Sequence, residues 1–339
     1  MTGNRKIIGI CFILMLIFFF WGCSNLNNTS NNSLQENTLE ALTEEQVFPD
    51  RAIQIVVPYA PGGGTDSVAR ALADSAKKYF DNAIVVVNKT GEGGAIGMAE
   101  GMNARPDGYT VTMITSELVT LSNFGLISFT YNDLIPILQV NEDAGALVVK
   151  ADAPWNTVED FIKHARYNPD KISVGNSGEG SIWYFAAAYI EKVTGTKLNH
   201  VFYNGAAPAV VDLLGGYIDA VIASPPEVLT HVKSGELKVL GTMSAERVEM
   251  LPKIPTFKEQ GYNIIVNTWR GLGVPKETPR EIVEILEDGF KKAAQDPNYL
   301  DIINQLELGY KVAGSREFLE NMKSHHENLK ALIEKWDIR

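Results

Sequence analysis

The sequence is poor in cysteine, in basic charge and in long apolar runs. Only two of its 339 residues are cysteine, Cys11 and Cys23, both near the start. Beyond Cys23 the chain can form no disulfide, offers no thiolate nucleophile and supplies no Cys-ligated zinc. Acidic side chains outnumber basic ones by 41 to 30, for a net charge of -11. Nucleic-acid binders normally carry a basic stripe, so that class is disfavoured. The same balance opposes broad electrostatic capture of anions, although a local site can work against the global field. The five histidines, His164, His200, His231, His325 and His326, show no metal-ligand spacing. His325-His326 lies in a charged terminal segment and reads as a solvated face. P-loop, dinucleotide-fingerprint and His-Glu-x-x-His patterns are missing, and Gly175-Asn176-Ser177-Gly178-Glu179 is not a nucleophile elbow. No cofactor, no metal and no covalent chemistry are therefore expected.

What is present begins with an address. Arg5 and Lys6 precede an apolar run from Ile7 to Trp21 that ends in Gly22-Cys23-Ser24. The run is shorter than the ~20 residues that cross a bilayer, and its charged flank is that of a secretory signal. A small residue before cysteine at the end of such a run resembles a lipobox. Residues 1–22 then form a lipoprotein signal peptide, and Cys23 becomes the lipidated first residue. A plain signal peptide, or an uncleaved anchor with an incidental cysteine, is the alternative. Residues 23–50 are rich in Asn, Ser, Thr and Glu and cannot bury enough surface to fold, so they read as a tether.

The remaining body alternates strands and helices. Ile53–Val57 predicts a buried strand, Ser67–Tyr79 a helix, Ile84–Val87 a strand, a second helix reaching about Ala104, and Tyr109–Thr115 a third strand. That βαβαβ order implies a parallel sheet with ligand chemistry at its strand C-termini. The grammar repeats: a capped helix from Thr157 to Tyr167, strand Ile172–Val174, helix Ile182–Val193, strand Val201–Tyr203, helix Ala206–Leu214 and strand Ala220–Ala223. Leu237–Met243 reads as a strand, and Ile264–Trp269 as an extended return to the first half. Pro279–Gln295 and Ser315–Lys335 predict terminal helices. A length above ~250–300 residues favours more than one core. The expectation is an α/β fold of two lobes, 51–152 with 270–339 and 153–269, joined by a hinge around a cleft.

Three glycine loops, at Gly62–Gly64, Gly91–Gly97 and Gly175–Gly180, lie between a strand and a helix. Such a turn points backbone N–H groups outward at the positive end of a helix and can hold an anion without a basic side chain. A tight turn also needs glycine for steric reasons alone, but three in two lobes point to an anion cleft. Ser116 and Glu117 follow the third strand at its C-terminal edge. Glu117 reads either as a cleft acid, accepting a ligand ammonium or balancing Arg270, or as an ordinary loop acid. Arg270 reads either as a bidentate grip on a carboxylate or as a surface ion pair. Tyr59 is either an aromatic wall or core.

Several stretches together carry a resemblance. They are Val57-Pro58-Tyr59-Ala60-Pro61-Gly62-Gly63-Gly64-Thr65-Asp66, Gly91-Glu92-Gly93-Gly94-Ala95-Ile96-Gly97, Pro106-Asp107-Gly108-Tyr109, Tyr203-Asn204-Gly205-Ala206-Ala207-Pro208 and Trp269–Pro275. In order and spacing they resemble the substrate-binding proteins of tripartite tricarboxylate transporters, the TctC or Bug receptors, across residues 51–339. The resemblance implies a two-lobed periplasmic-binding-protein fold of type II, with two Rossmann-like domains. It implies that a ligand carboxylate is gripped by Tyr59, Gly63, Gly64, Thr65 and Asp66 in the first loop and by Gly94 and Ala95 in the second. The far lobe would contribute Asn176, Gly178, Ser181, Gly205, Ala206, Ala207, Ser224 and Pro225. Trp183-Tyr184-Phe185 departs from the family's usual His-Leu at that place, which bears on the far-lobe contacts. With Glu117 in the cleft, a dicarboxylate or an acidic amino acid fits at least as well as citrate. The implied partners are permease subunits of a tripartite transporter and the membrane, with the receptor acting as a monomer. A receptor that presents its liganded state to a signalling partner is the alternative.

Overall fold

The computed structural model describes residues 48–338. The signal peptide, Cys23 and nearly all of the tether expected from the sequence lie outside the described residues.

Two sheets carry the body. The first holds β1 (Ile53–Val57), β2 (Ile84–Asn88), β3 (Thr110–Thr115), β4 (Leu134–Ala144), β10 (Asn267–Pro275) and β11 (Ala313–Gly314), in the order β11-β4-β10-β3-β1-β2. β1 pairs in parallel with β2 and β3, as the βαβαβ pattern requires, and β10 runs antiparallel to β3 and β4. The second sheet holds β5 (Ala146–Lys150), β6 (Ser173–Asn176), β7 (Asn199–Phe202), β8 (Ala220–Ala223) and β9 (Leu237–Thr242), in the order β7-β6-β8-β5-β9.

The chain changes sheet at Gly145 and again between Thr242 and Asn267, where the expected lobe divisions stood at 152 and 269. The crossing segments are bonded to each other. Gly145 N–H donates to the Val266 carbonyl at 2.9 Å, Val266 N–H to that of Met243 at 2.9 Å, and Met243 N–H to that of Gly145 at 2.7 Å. The sequence anticipated a hinge with a return crossing but not the first crossing at Gly145, because β4 runs into Asn141-Glu142-Asp143, a polar stretch that masks strand character.

The helices follow the apolar spacing. α1 (Gly64–Ala76) buries Val68, Leu72 and Ala76 on the first sheet, where α8 (Arg280–Gln295) adds Leu286 and Phe290. α1 starts inside the glycine loop, earlier than the expected Ser67, with Gly63 extended at its N-cap. The loop's N–H groups are thus the helix's own first turn. A turn of 3-10 helix (Glu92–Gly94) leads into α2 (Ala95–Met102). α3 (Glu117–Asn123), α7 (Pro225–Lys233) and α9 (Pro297–Gln305) escaped the sequence reading. In α7 and α9 proline stands in the first turn, where the missing N–H costs nothing and starts a helix rather than breaking one. α4 (Val158–Tyr167) opens with the expected box, Asp160 N–H donating to Thr157 Oγ1 at 3.0 Å. α5 (Ile182–Thr194) and α6 (Ala206–Gly215) flank the second sheet.

α10 (Ser315–Trp336) closes the chain and packs on α3 and β4. His325 and His326 do not form the solvated face expected of them. Trp269 Nε1–H donates to His325 Nδ1 at 2.6 Å, and the ring of His326 meets Tyr131 edge-on. His325 stands between Met322 and Leu329 on the buried face of α10, which brings it to the Trp269 indole.

Candidate functional site

The C-terminal ends of β1 and β3 and the N-termini of α1, α5, α6 and α7 converge on one small cavity of about 20 Å³, room for roughly one water. Its walls include Tyr59, Gly63, Gly64, Thr65, Glu117, Gly205, Ala206 and Arg270, all expected from the sequence. Ala60, Ser177, Trp183, Glu227 and Thr268 complete it; Ser177 lies inside the expected far-lobe stretch and Trp183 at the noted departure, whereas Ala60, Glu227 and Thr268 were not expected.

The wall on the first sheet is tied down. Tyr59 is buried; its hydroxyl donates to the Gly93 carbonyl at 3.0 Å and lies 3.3 Å from Thr115 Oγ1. Burial, and then the nearby Glu117, hold its phenol well above the usual range, so it remains a neutral donor. Arg270 is also buried, and it reaches the cavity through β10, where residues alternate sides and Trp269 faces α10 instead. Arg270 Nη1 donates to Asn141 Oδ1 at 2.5 Å and to Asp143 Oδ2 at 2.6 Å, and Nε donates to Thr65 Oγ1 at 3.0 Å. Two of the readings of Arg270 therefore need correction. Its counter-charge is Asp143 rather than Glu117, and the pair is buried rather than on the surface. With Nε and Nη1 committed in this structure, Nη2 is the part of the guanidinium left to the cavity. A buried pair of this kind fixes geometry more than it adds stability.

Asp66 is the other acid expected to touch ligand, and its carboxylate turns away. It accepts from Gly62 N–H at 3.0 Å, from Asn88 Nδ2 at 2.9 Å and from Arg70 in a two-bond pair. Burial opposes its charged form, but those bonds together hold its carboxyl below the usual range. It shapes the first loop without lining the cavity. Gly94 faces the Tyr59 ring, where a Cβ would meet the hydroxyl at 2.7 Å, and Ala95 is buried as the first residue of α2. Neither borders the cavity. Ser116 Oγ lies 2.9 Å from Thr268 Oγ1, behind Glu117.

The wall from the second sheet is built differently. Asn176 is fully buried at the end of β6, and neither polar atom of its amide has a hydrogen-bond partner; the Ser177 hydroxyl is buried without one too. Unpaired buried polar groups are costly, of order 1–3 kcal/mol each, and call for an explanation. Ser181 is occupied as the N-cap of α5, accepting from Tyr184 N–H at 3.2 Å. Ser224 caps α7 with Pro225 behind it as the first helical residue. Gly178, at φ +124°, packs so closely that a Cβ would fall 2.6 Å from the Gly93 Cα. Ala207 sits against Gly63 across the cavity.

The two walls meet directly. Ala60 N–H donates to the Asn204 carbonyl at 2.9 Å. Ile182 N–H, at the start of α5, donates to Glu117 Oε1 at 3.3 Å, while Gly64 N–H, at the start of α1, donates to Glu227 Oε1 at 2.8 Å. Each sheet thus sends a carboxylate to a helix N-terminus of the other. Among the described residues no cluster of three or more His, Cys, Asp or Glu is placed to hold a metal.

Comparison with known proteins assigns this architecture. The family model of the tripartite tricarboxylate transporter family receptor matches residues 68–338. The chain belongs to that receptor family. BugT of Bordetella pertussis is 31% identical over 262 residues, covering 76% of this chain and 80% of its own. A TctC solute-binding protein from Polaromonas, solved with no ligand, is 43% identical, covers 85% of this chain and 99% of its own, and superposes with a TM-score of 0.63. The periplasmic binding protein BugD is 30% identical, covers 86% and 99%, and superposes with a TM-score of 0.82. The fold is thus the two-lobed one of periplasmic binding proteins, and the family is one of receptors rather than enzymes. Among the described residues no helix is long and apolar enough to cross a membrane.

Proposed function

We propose that this TctC-type receptor captures a small carboxylate between its lobes outside the cytoplasm and delivers it to the permease subunits of a tripartite transporter. The observation that carries the reading is the seat at the start of α1. Gly64 N–H there already holds a carboxylate oxygen at 2.8 Å, in a cavity that Arg270 also lines. A ligand carboxylate would find the same helix N-terminus, the Tyr59 wall and Arg270 Nη2. The unpaired amide of Asn176 and the Ser177 hydroxyl would serve the ligand's other end, and Gly205, Ala206 and Ala207 would close over it. Lobe 1 is taken as 51–145 with 267–338 and lobe 2 as 146–242, the divisions following sheet membership, with the bonded segments at Gly145, Met243 and Val266 as hinge. The work is binding and a shift between open and closed lobes, with no covalent step. In this reading Cys23 carries the lipid that keeps a monomeric receptor at the membrane.

Calorimetry and thermal melting against di- and tricarboxylates, acidic amino acids and aromatic acids test it, after ligand retained from the cell is removed by unfolding and refolding. A ligand at a hundred times its Kd should add about 2.7 kcal/mol of stability. No stabilisation by any small carboxylate would sink the proposal.

A further inference from the structure

Glu227 comes from the second sheet's side of the cavity and ends on the first. Its Oε2 accepts from Ser224 N–H at 2.9 Å and from Ser224 Oγ at 2.8 Å, the ordinary N-terminal box of α7. Its Oε1 accepts from Gly64 N–H at 2.8 Å. A Cβ on Gly64 would fall 3.1 Å from this oxygen and 2.6 Å from Arg270 Nη2, so carboxylate and guanidinium edge border the same glycine. One carboxylate therefore bridges the positive ends of two helices, one from each lobe, and sits where the proposed ligand carboxylate would sit.

We infer that Glu227 is an internal stand-in for the ligand carboxylate: it latches the cleft shut when no ligand is bound, and a ligand must displace it from Gly64. Three observations carry this. The cavity of about 20 Å³ cannot take a dicarboxylate while Glu227 remains in place. The bond to Gly64 can be given up alone, since Oε2 keeps both Ser224 donors when α7 swings away, and opening leaves no carboxylate unsatisfied. The arrangement is also reciprocal, because Glu117 Oε1 takes Ile182 N–H at the start of α5 in the same closed state. Ser177, which lines the cavity and whose hydroxyl finds no partner in that state, is the group that the latch leaves unserved and a ligand would satisfy. The inference rests on the carboxylate-receptor reading for the identity of the displacing ligand, but not for the latch itself.

Displacement has a measurable cost. Ligand affinity is reduced by the fraction of molecules whose seat is free, so weakening the latch should tighten binding. Glu227→Asp separates the two roles of the side chain. Aspartate at this position still closes the box on Ser224, as Asp160 does on Thr157 in α4, but is one methylene too short to reach Gly64. Glu227→Gln keeps the length and removes the charge. Hydrogen exchange on the unliganded full chain reads the latch directly through the amides of Ala60, Gly64 and Ile182, whose acceptors lie across the cleft. Titration with succinate and citrate reads the competition.

In Glu227→Asp those three amides should exchange about tenfold faster, and the better of the two acids should bind about tenfold more tightly, with Glu227→Gln between. The thermal midpoint of Glu227→Asp without ligand should stay close to that of the parent, showing that α7 remains capped. Unchanged exchange with unchanged affinity would overturn the latch. Weaker binding in Glu227→Asp would also overturn it, since Glu227 would then be a ligand contact rather than a competitor. If neither acid binds parent or variant, it is the carboxylate-receptor reading that fails, and the exchange rates alone decide whether Glu227 holds the cleft.

Discussion

The two walls of the cavity are made of different material. On the first sheet's side the main polar side chains are committed, Tyr59 to Gly93, Arg270 through Nε and Nη1 to Thr65, Asn141 and Asp143, and Asp66 to Arg70, Asn88 and Gly62, which leaves Arg270 Nη2 to the cavity. What that wall presents is backbone, the N–H groups of a helix that begins inside its own glycine loop. The second wall presents side chains, among them the Ser177 hydroxyl, buried without a partner, and the neighbouring Asn176 amide behind the lining is buried without one too. A rigid backbone seat recognises a charge that all ligands of one class share. Uncommitted side chains pay for their burial only when a ligand supplies the missing bonds, so they select among ligands and reward closure. The family resemblance falls mostly on the first wall, and the departure at Trp183 falls on the second.

The largest effect should come from breaking the committed wall at its centre. Arg270→Met leaves Asp143 buried without its cation, which should cost on the order of 3–5 kcal/mol of stability in urea unfolding. A loss below about 1 kcal/mol would mean that the first wall is not held by this pair. Next is Gly64→Val. The helix start tolerates a side chain conformationally, because Gly64 has no positive φ, but the Cβ would press on Arg270 Nη2 at 2.6 Å. Carboxylate binding should fall at least about a hundredfold, or about 2.7 kcal/mol, in a protein with native circular dichroism. Retained affinity would move the seat elsewhere.

The second wall should respond in the opposite sense. Asn176→Ala removes two unpaired polar atoms, so the unliganded protein should gain about 1 kcal/mol while ligand affinity drops about tenfold. A calorimetric titration beside a melt without ligand separates these signs. Loss of both stability and affinity would show that Asn176 has a structural partner and that the walls are alike.

The contrast also explains what could be read from the chain. The first wall was legible because backbone seats leave a local signature. Glycine between a β-branched strand and an amphipathic helix is a contiguous pattern that marked the Gly62–Gly64 loop as an anion seat, and the family resemblance added Thr65 to it. Arg270 was legible as a position but not as a state, because Asp143 lies on β4, and that pairing depends on the antiparallel register of β10 on β4. Glu227 left almost no signal. Ser224-Pro225-Pro226-Glu227 reads as a break followed by an ordinary acid, although Ser followed three residues later by Glu is a helix start. That it reaches Gly64 is a fact of lobe closure, which no local pattern encodes. Asp66 erred the other way. It belongs to the resembling loop, and in the structure its carboxylate braces that loop through Arg70 and Asn88 and does not line the cavity.

The smallest effect on binding should come from behind the hinge, where neither wall is touched. Burial pushes the His325 imidazole down to about 4 from its usual 6.5, against a weaker upward pull from Glu142 and with a further downward push from His326. Its Nδ1 also accepts the Trp269 indole N–H at 2.6 Å, which requires that nitrogen to be free of a proton. The folded state therefore prefers neutral His325, whereas the unfolded chain protonates near the usual value. Between those values the unfolded state binds more protons, so stability rises with pH. The contribution is present above about pH 6.5 and is lost as pH falls towards about 4. Trp269 is the neighbour of Arg270 on β10, so loosening it would reach the first wall only indirectly. His325→Gln should leave carboxylate affinity at pH 7 within about twofold and flatten the fall in the thermal midpoint between pH 6.5 and 4. An unchanged pH profile would mean that other groups carry the acid sensitivity. A large loss of affinity at pH 7 would instead mean that the first wall depends on the Trp269 contact, and that its rigidity is not the property of the loop and the arginine alone.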